Sequence, residues 1–323
     1  MNRTLRHRST ALLAAVSALA LAGCSTSGAA TTEEGSPSAA SAETVSVEHA
    51  QGTTDVPVDP QNVITFDLGV LDSMQALDED VQGLPKGGSL PEQFSEYGSD
   101  EYVNAGSMKE PDLEAVAEAA PDLIITSGRT ADFYDELAEI APTVDLSLDQ
   151  TDALNSFTDQ SRTLGEIFGK ETEVEERLAA IEEQVEETKA RTAEAGTAMF
   201  VLTSAGEVNA YGPNSRFGNI VFDLLGFESA ADVQAEGTHG EAVSFEAIAA
   251  ADPDHLFVLD RDTAIGQSGG EAAQQVLDNE LVNGTSAAQQ DRITYVDSAS
   301  WYLVGFGLDN FPAMIGEIQD SLS

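Results

Sequence analysis

The sequence predicts an α/β protein of two lobes, each built on a central sheet, with a long α-helix joining them and a ligand cleft between them. Three observations predict it. The first is an internal repeat: Leu113–Arg129 (LEAVAEAAPDLIITSGR) and Phe245–Arg261 (FEAIAAADPDHLFVLDR) lie 132 positions apart, align without a gap and share seven of seventeen residues. Each copy reads as a short helix opening on a Glu, a Pro-Asp turn, an apolar strand and an Arg just beyond it. The second is the alternation of strand-like and helix-like runs in both halves of the chain, which marks Rossmann-like lobes. The third is the amphipathic run Asp152–Phe168 between them. Ligands of open α/β sheets gather beyond the carboxyl ends of the strands. Arg129 and Arg261 therefore offer positive charge to a shared anionic ligand.

The elements follow in order. Residues 1–23 read as a signal peptide, with Arg3, Arg6 and Arg8 before the apolar run Ala11–Ala20, which is too short for a spanning helix. Leu21-Ala22-Gly23-Cys24 resembles a bacterial lipobox, in which Cys24 is lipidated and becomes the first residue. Residues 24–43, rich in Ser, Ala, Thr and Gly, read as a flexible tether. An N-terminal α/β lobe over 44–151 opens with alternating Val45 and Val47 and a hairpin turn at Gln51-Gly52-Thr53. Val63–Phe66 reads as a buried strand, and Asp67–Leu77 as a helix with Val70, Leu71, Met74 and Leu77 on one face. The inter-lobe helix spans 152–169, with Gly169 ending it. At 1.5 Å per residue it covers roughly 25 Å. A helical tie of this kind predicts only a modest opening angle between bound and free forms. The C-terminal lobe, 170–323, starts with the one-sided helix Glu171–Glu194. Ala198–Thr203, Phe217–Leu225, the second repeat copy, Gln274–Leu281, Ile293–Val296 and a final helix from about Leu308 follow.

Composition narrows the function. The chain of 323 residues carries 57 acidic and 14 basic residues, a formal charge of −43. Nucleic acid is excluded as a partner, because phosphate binding needs clustered positive charge. Only seven arginines lie after the leader, so one placed past a strand carries information. A single Cys excludes a disulfide framework. No other run approaches the length of a membrane span either, so the mature protein is expected to be tethered rather than embedded. The sequence holds no H-E-x-x-H, no P-loop and no complete G-x-G-x-x-G, and its four histidines leave little for acid–base or zinc chemistry. An exported enzyme is the lesser alternative. An adhesion or cell-wall role would leave the matched arginines without a purpose.

GLPKG (83–87), KEPDLE (109–114), SGR (127–129), YGPNSRFG (211–218), THG (238–240), VSFE (243–246), LDR (259–261) and WYL (301–303) occur in that order. In this the chain, from about Thr44 to its end, resembles the catecholate-siderophore-binding lipoproteins of bacterial iron ABC importers, the enterobactin/petrobactin type. These are helix-linked, class III solute-binding proteins. The resemblance implies a cleft in which Arg129, Arg216 and Arg261 surround an iron(III) catecholate, with no cofactor of the protein's own. Guanidinium groups suit such an anion, since they stay charged, donate hydrogen bonds to catecholate oxygens and stack on aromatic rings.

The resemblance also implies that His239 and Tyr302 ligate iron when the siderophore leaves two sites open. Iron(III) favours a phenolate oxygen, and imidazole also suits iron. Glu114 and Glu246, equivalent in the repeat, are expected to dock on arginines of the membrane permease; a first-turn carboxylate is also favoured by the helix dipole alone. Tyr211 and Trp301 are candidates to line the cleft against catechol rings, and Lys86 is a further candidate cation. His255 opens a buried strand and reads as structural; His49 has no assigned role. Where WYL should lead into a more Gly-rich stretch, Phe306 is expected to narrow the pocket. The partners implied are a ferric siderophore, an ABC permease with its ATPase, and the membrane through the lipid on Cys24. A monomer on the extracytoplasmic face of the cell membrane is expected. Haem, cobalamin and hydroxamate siderophores remain alternatives within the class, although hydroxamate complexes are often neutral or cationic and fit three arginines less well.

Overall fold

Strands that are apolar at every position must be covered on both faces, and this chain covers them twice. The computed structural model describes residues 43–149, 152–233, 240–267 and 272–323. An antiparallel hairpin comes first, β1 (Thr44–His49) with β2 (Gly52–Pro57). Five parallel strands follow: β3 (Val63–Thr65), β4 (Gly83–Leu84), β5 (Val103–Asn104), β6 (Leu123–Thr126) and β7 (Thr143–Asp145). They lie in the order β5-β4-β3-β6-β7. The second sheet comprises β8 (Thr197–Ser204), β9 (Glu207–Tyr211), β10 (Glu228–Ser229), β11 (Glu241–Ala242), β12 (His255–Asp260) and β13 (Ile293–Tyr295). Its order is β11-β9-β8-β12-β13, with β10 beside the start of β8. The helices that position the site are α1 (Leu68–Ala76), α2 (Leu113–Ala119), α3 (Ala153–Phe168), α4 (Glu171–Thr192), α5 (Phe245–Ala251) and α6 (Asn310–Asp320).

The repeat is a structural repeat as well. Both helices are capped by the residue before them: Asp112 accepts from Ala115 N at 3.0 Å, and Ser244 from Ala247 N at 3.3 Å. Both end in a left-handed residue, Ala120 and Asp252, just before the Pro-Asp pair. The two Asp side chains then do the same work. Asp122 accepts from Asn62 N at 3.0 Å, ahead of β3, and Asp254 from Thr197 N at 2.9 Å, at the start of β8. Each therefore pins the neighbouring parallel strand in register with its own. One copy supplies the five-stranded sheet and the other the six-stranded sheet.

Side chains alternate between cores with the period of two that strands impose. Leu123 and Ile125 of β6, Phe200 and Leu202 of β8, and Phe257 and Leu259 of β12 enter one continuous core that also holds Phe157, Val174, Ile181 and Phe311 of the helices. Ile124 faces a separate cluster under the first sheet, while Met199, Val201, Leu256 and Val258 face another under the second. Both sheets thus share one interior.

The helical ties meet at the end of α1. Arg177 of α4 donates to Ala76 O at 2.7 Å and pairs with Asp309 at 2.6 Å. Asp72 of α1 accepts from the backbone N–H groups of Asp309 and Asn310, both at 2.9 Å, where α6 begins. Gly69 belongs to the same junction: a Cβ there would overlap the Phe306 carbonyl. Gly169 ends α3 as expected, at φ +65°, where a side chain would be strained.

Three segments differ from the sequence reading. β9, a strand the sequence reading did not name, runs antiparallel to β8 through a tight turn at Ala205 and Gly206, both at positive φ, so the second sheet is mixed. Within Phe217–Leu225, residues Asn219–Leu224 form wide, π-type helical turns. Gln274–Leu281 divides into two short helices, Ala273–Leu277 and Glu280–Asn283, because Asn279 caps the second by accepting from Leu281 N and Val282 N.

Candidate functional site

The carboxyl ends of β3 and β6 open onto a cleft of about 290 Å³. Asp67 and Ser127 stand at its sheet end, Arg129 and Arg216 on its walls, and Trp301, Phe306 and Met314 among its apolar lining. Asp67 Oδ1 accepts from Gly69 N and Val70 N at 2.8 and 2.9 Å, capping α1, while its other oxygen accepts from the Ser127 hydroxyl. Asp67 holds for the five-stranded sheet the place just past the strand that directed attention to the arginines. The same logic could have found it.

Tyr302 organises the cations. It lies on the π-type turn Ser300–Val304, which α6 fixes in place: Asn310 Nδ2 donates to Gly305 O at 2.7 Å, and Glu317 accepts from Trp301 Nε1 at 3.1 Å. The Tyr302 carbonyl accepts from Arg129 Nη2 and from Arg216 Nη2, each at 2.6 Å. Its hydroxyl accepts from Arg261 Nε at 3.0 Å. The guanidinium carbons of Arg129, Arg216 and Arg261 stand 5.7, 5.0 and 5.7 Å from its ring centroid, within cation–π range. Arg216 also lies 4.7 Å from the Phe217 ring. Three arginines from three separate segments of the chain therefore converge on one side chain. Arg261 and Tyr302 stand outside the lining of the cleft itself.

The arginines of the site are sparsely matched by acids. Among the described residues neither Arg129 nor Arg216 has a carboxylate within 4.0 Å, and Arg261 has only Asp262, at 3.8 Å. Burial and the neighbouring Arg129 charge lower the Arg216 pKa to about 10, which leaves it a cation at neutral pH. For Tyr302, burial pushes the phenol up, but the Arg261 hydrogen bond and the charges of Arg261, Arg216 and Arg129 together outweigh it. Its pKa lies below the ordinary value.

Other predicted residues stand elsewhere. Lys86 is not a cleft cation: its ammonium donates to Ser99 O and, at 2.6 Å, to Tyr102 O, so it ties a loop of the first lobe. Tyr211 is core, 6% exposed, packed edge-on against Phe217 at 4.9 Å and raised in pKa by burial; it backs the wall that carries Arg216. Trp301 does line the cleft, although only 1% of it is exposed. Phe306 lines it too, tilted against Phe157 and Phe311 with ring centroids at 5.6 and 4.5 Å. Glu114 and Glu246 are exposed in the first turns of α2 and α5. His239 and Cys24 lie outside the described residues. Among those described, no group of three His, Cys, Asp or Glu is placed to hold a metal ion, and no helix is long and apolar enough to cross a membrane.

Two α/β sheets share one core, and a cleft at their strand ends is lined by cations without acidic partners and by aromatic rings, the architecture of a solute-binding protein. Residues 63–299 match the periplasmic binding protein family, and the chain belongs to that family. It is 38% identical to the petrobactin-binding protein YclQ of Bacillus subtilis over 96% of this chain and 97% of that one. The YclQ crystal structure superposes with a TM-score of 0.83 at 39% identity, covering 87% and 99% of the two chains. The periplasmic catecholate-siderophore binding protein VctP of Vibrio cholerae superposes at 0.81 with 32% identity, covering 86% and 100%. The ferric-anguibactin-binding protein FatB of Vibrio anguillarum is 30% identical over 84% and 85%.

Proposed function

We propose that this protein captures a ferric catecholate siderophore outside the cell membrane and delivers it to an ABC permease for iron uptake. The observation that carries the reading is the convergence of Arg129, Arg216 and Arg261 on the ring, hydroxyl and carbonyl of Tyr302. An array that surrounds a phenol with guanidinium groups is chemically suited to a catecholate, a doubly oxygenated ring of higher negative charge. The names borne by YclQ and VctP support the same ligand class. Iron is cargo here. A Tyr302 phenol with lowered pKa is suited to coordinate it as phenolate, together with His239, when the siderophore is tetradentate.

Cys24 is proposed as the lipid-bearing residue of a monomeric, membrane-tethered protein, with residues 24–43 as tether. Glu114 and Glu246 would engage the permease, since their equivalent positions on matched helices offer one carboxylate from each lobe. Replacing both with Ala is expected to leave siderophore affinity unchanged and impair uptake by cells; undiminished transport would remove the docking role.

Trp301 is the only tryptophan of the chain and lines the cleft, so intrinsic fluorescence reports binding. Ferric bis- and tris-catecholates should quench it saturably, while ferrioxamine and haem should not. Arg216→Met is expected to weaken binding by about ten- to a hundredfold, the worth of one charge-assisted contact. The pair His239→Ala with Tyr302→Phe should weaken a bis-catecholate far more than a hexadentate complex. Quenching by haem alone would reverse the assignment.

A further inference from the structure

Of the seven arginines after the leader, three meet at Tyr302 and two are paired with acids, Arg162 with Glu175 and Arg177 with Asp309, each at 2.6 Å. The other two, Arg191 and Arg292, have no carboxylate within 4.0 Å among the described residues. In a chain with 57 acids, that isolation singles them out. Both line one cavity of about 210 Å³. It sits where β8, β12 and β13 begin, at the opposite end of the second sheet from Arg261. Arg191 reaches it from the last turn of α4, held by its hydrogen bond to Gln319 O at 2.9 Å. Arg292 immediately precedes β13. His255, the first residue of β12, completes the lining; it is 2% exposed and its Nδ1 has no hydrogen-bond partner. Burial and the Arg292 charge lower its pKa, so the ring is held neutral. Glu194 and the last residues, Ser321–Ser323, also line the cavity, yet neither the Glu194 carboxylate nor that of Ser323 lies within 4.0 Å of either guanidinium group.

We propose that this cavity is a second anion site, separate from the cleft, which takes a small oxyanion of the phosphate or sulphate type. Two planar, always-charged forks facing one space match the oxygens of such an anion. The buried His255 ring, packed against Phe227 and Phe257, backs the cavity wall beside them. The chemistry is shared by free inorganic phosphate and by a phospholipid headgroup. The inference is independent of what the cleft binds.

The test is thermal unfolding of the full chain in sodium phosphate and sodium sulphate against sodium chloride at matched ionic strength. A saturable rise in Tm with phosphate is expected, with its midpoint raised about tenfold or more in Arg191→Gln and in Arg292→Gln, and unchanged in the cleft variant Arg216→Gln. The His255 ring nitrogen resonances should shift on phosphate addition, which gives a readout apart from stability. Co-sedimentation with phosphatidylglycerol vesicles, lost in Arg191→Gln, would identify the headgroup as the source; its absence with phosphate binding intact would identify the free ion. A Tm that follows ionic strength alone, or a phosphate effect that survives Arg292→Gln or disappears in Arg216→Gln, overturns the proposal.

Discussion

Tyr302 is surrounded by three guanidinium groups, so its proton equilibrium reads out the arrangement directly. A hydroxyl accepting from Arg261 Nε at 3.0 Å is stabilised as phenolate, and the two further cations act in the same direction. The other perturbed tyrosines, Tyr97, Tyr102, Tyr211 and Tyr295, are all shifted upward. An ultraviolet difference titration is therefore expected to show a tyrosine ionising below the ordinary value of about 10. That phase should vanish in Tyr302→Phe and move upward in Arg261→Gln, which removes one charge and the direct hydrogen bond. An Arg261→Gln protein whose titration is unchanged would mean that the hydroxyl and guanidinium do not meet in solution. The residue scale is also where sequence reasoning failed. Lys86 looked available in its Gly/Pro loop, but carbonyls thirteen and sixteen residues away claim its ammonium. Tyr211 looked like a cleft aromatic, but the packing of Phe200 and Phe217 around it is decided by strands that the local sequence does not show.

At the scale of elements, α1 and α6 meet through one buried carboxylate. Asp72, 5% exposed, caps α6 by accepting two backbone N–H bonds, yet burial dominates and raises its pKa to about 6 from 3.8. The folded state therefore favours the protonated form. Its contribution to stability is fully present below about pH 4 and is lost as the pH rises through about 6, by at most about 3 kcal/mol. Asp72→Asn keeps an oxygen acceptor for both N–H groups and removes the charge. Urea midpoints of wild type and variant should coincide near pH 4 and separate towards pH 7, with Asp72→Asn the more stable. A variant less stable at pH 7 would show that the charge itself holds α6. The repeat helices illustrate why this scale was the most legible. Cap, apolar stripe, Pro-Asp turn and strand are all local patterns, and they recur in LEAVAEAAPDLIIT and FEAIAAADPDHLFV. By contrast β9, EVNAY, has no apolar run of its own and becomes a strand through pairing with β8. The junction of Asp72 with Asp309 and Asn310 joins residues more than two hundred positions apart, which no periodicity announces.

For the whole molecule, the formal charge of −43 opposes the arrival of an anionic ligand, while the three arginines that meet at Tyr302 attract it at short range. Screening separates the two effects. The Debye length is about 30 Å at about 0.01 M salt and about 8 Å at about 0.15 M. At low salt the ligand feels the acidic surface before it feels the cleft. At physiological salt the distant carboxylates are screened, whereas guanidinium groups in contact with the ligand are screened much less. Association of a ferric catecholate, followed by stopped-flow quenching of Trp301, is thus expected to accelerate several-fold between these concentrations, the reverse of the steering by opposite charge that salt slows. Arg216→Met should lower affinity with little effect on that salt dependence, because the repulsion arises from the surface as a whole. Association that slows with salt in the wild type would mean that the cleft cations dominate the field out to tens of ångströms. The acidity would then have no kinetic cost to the ligand.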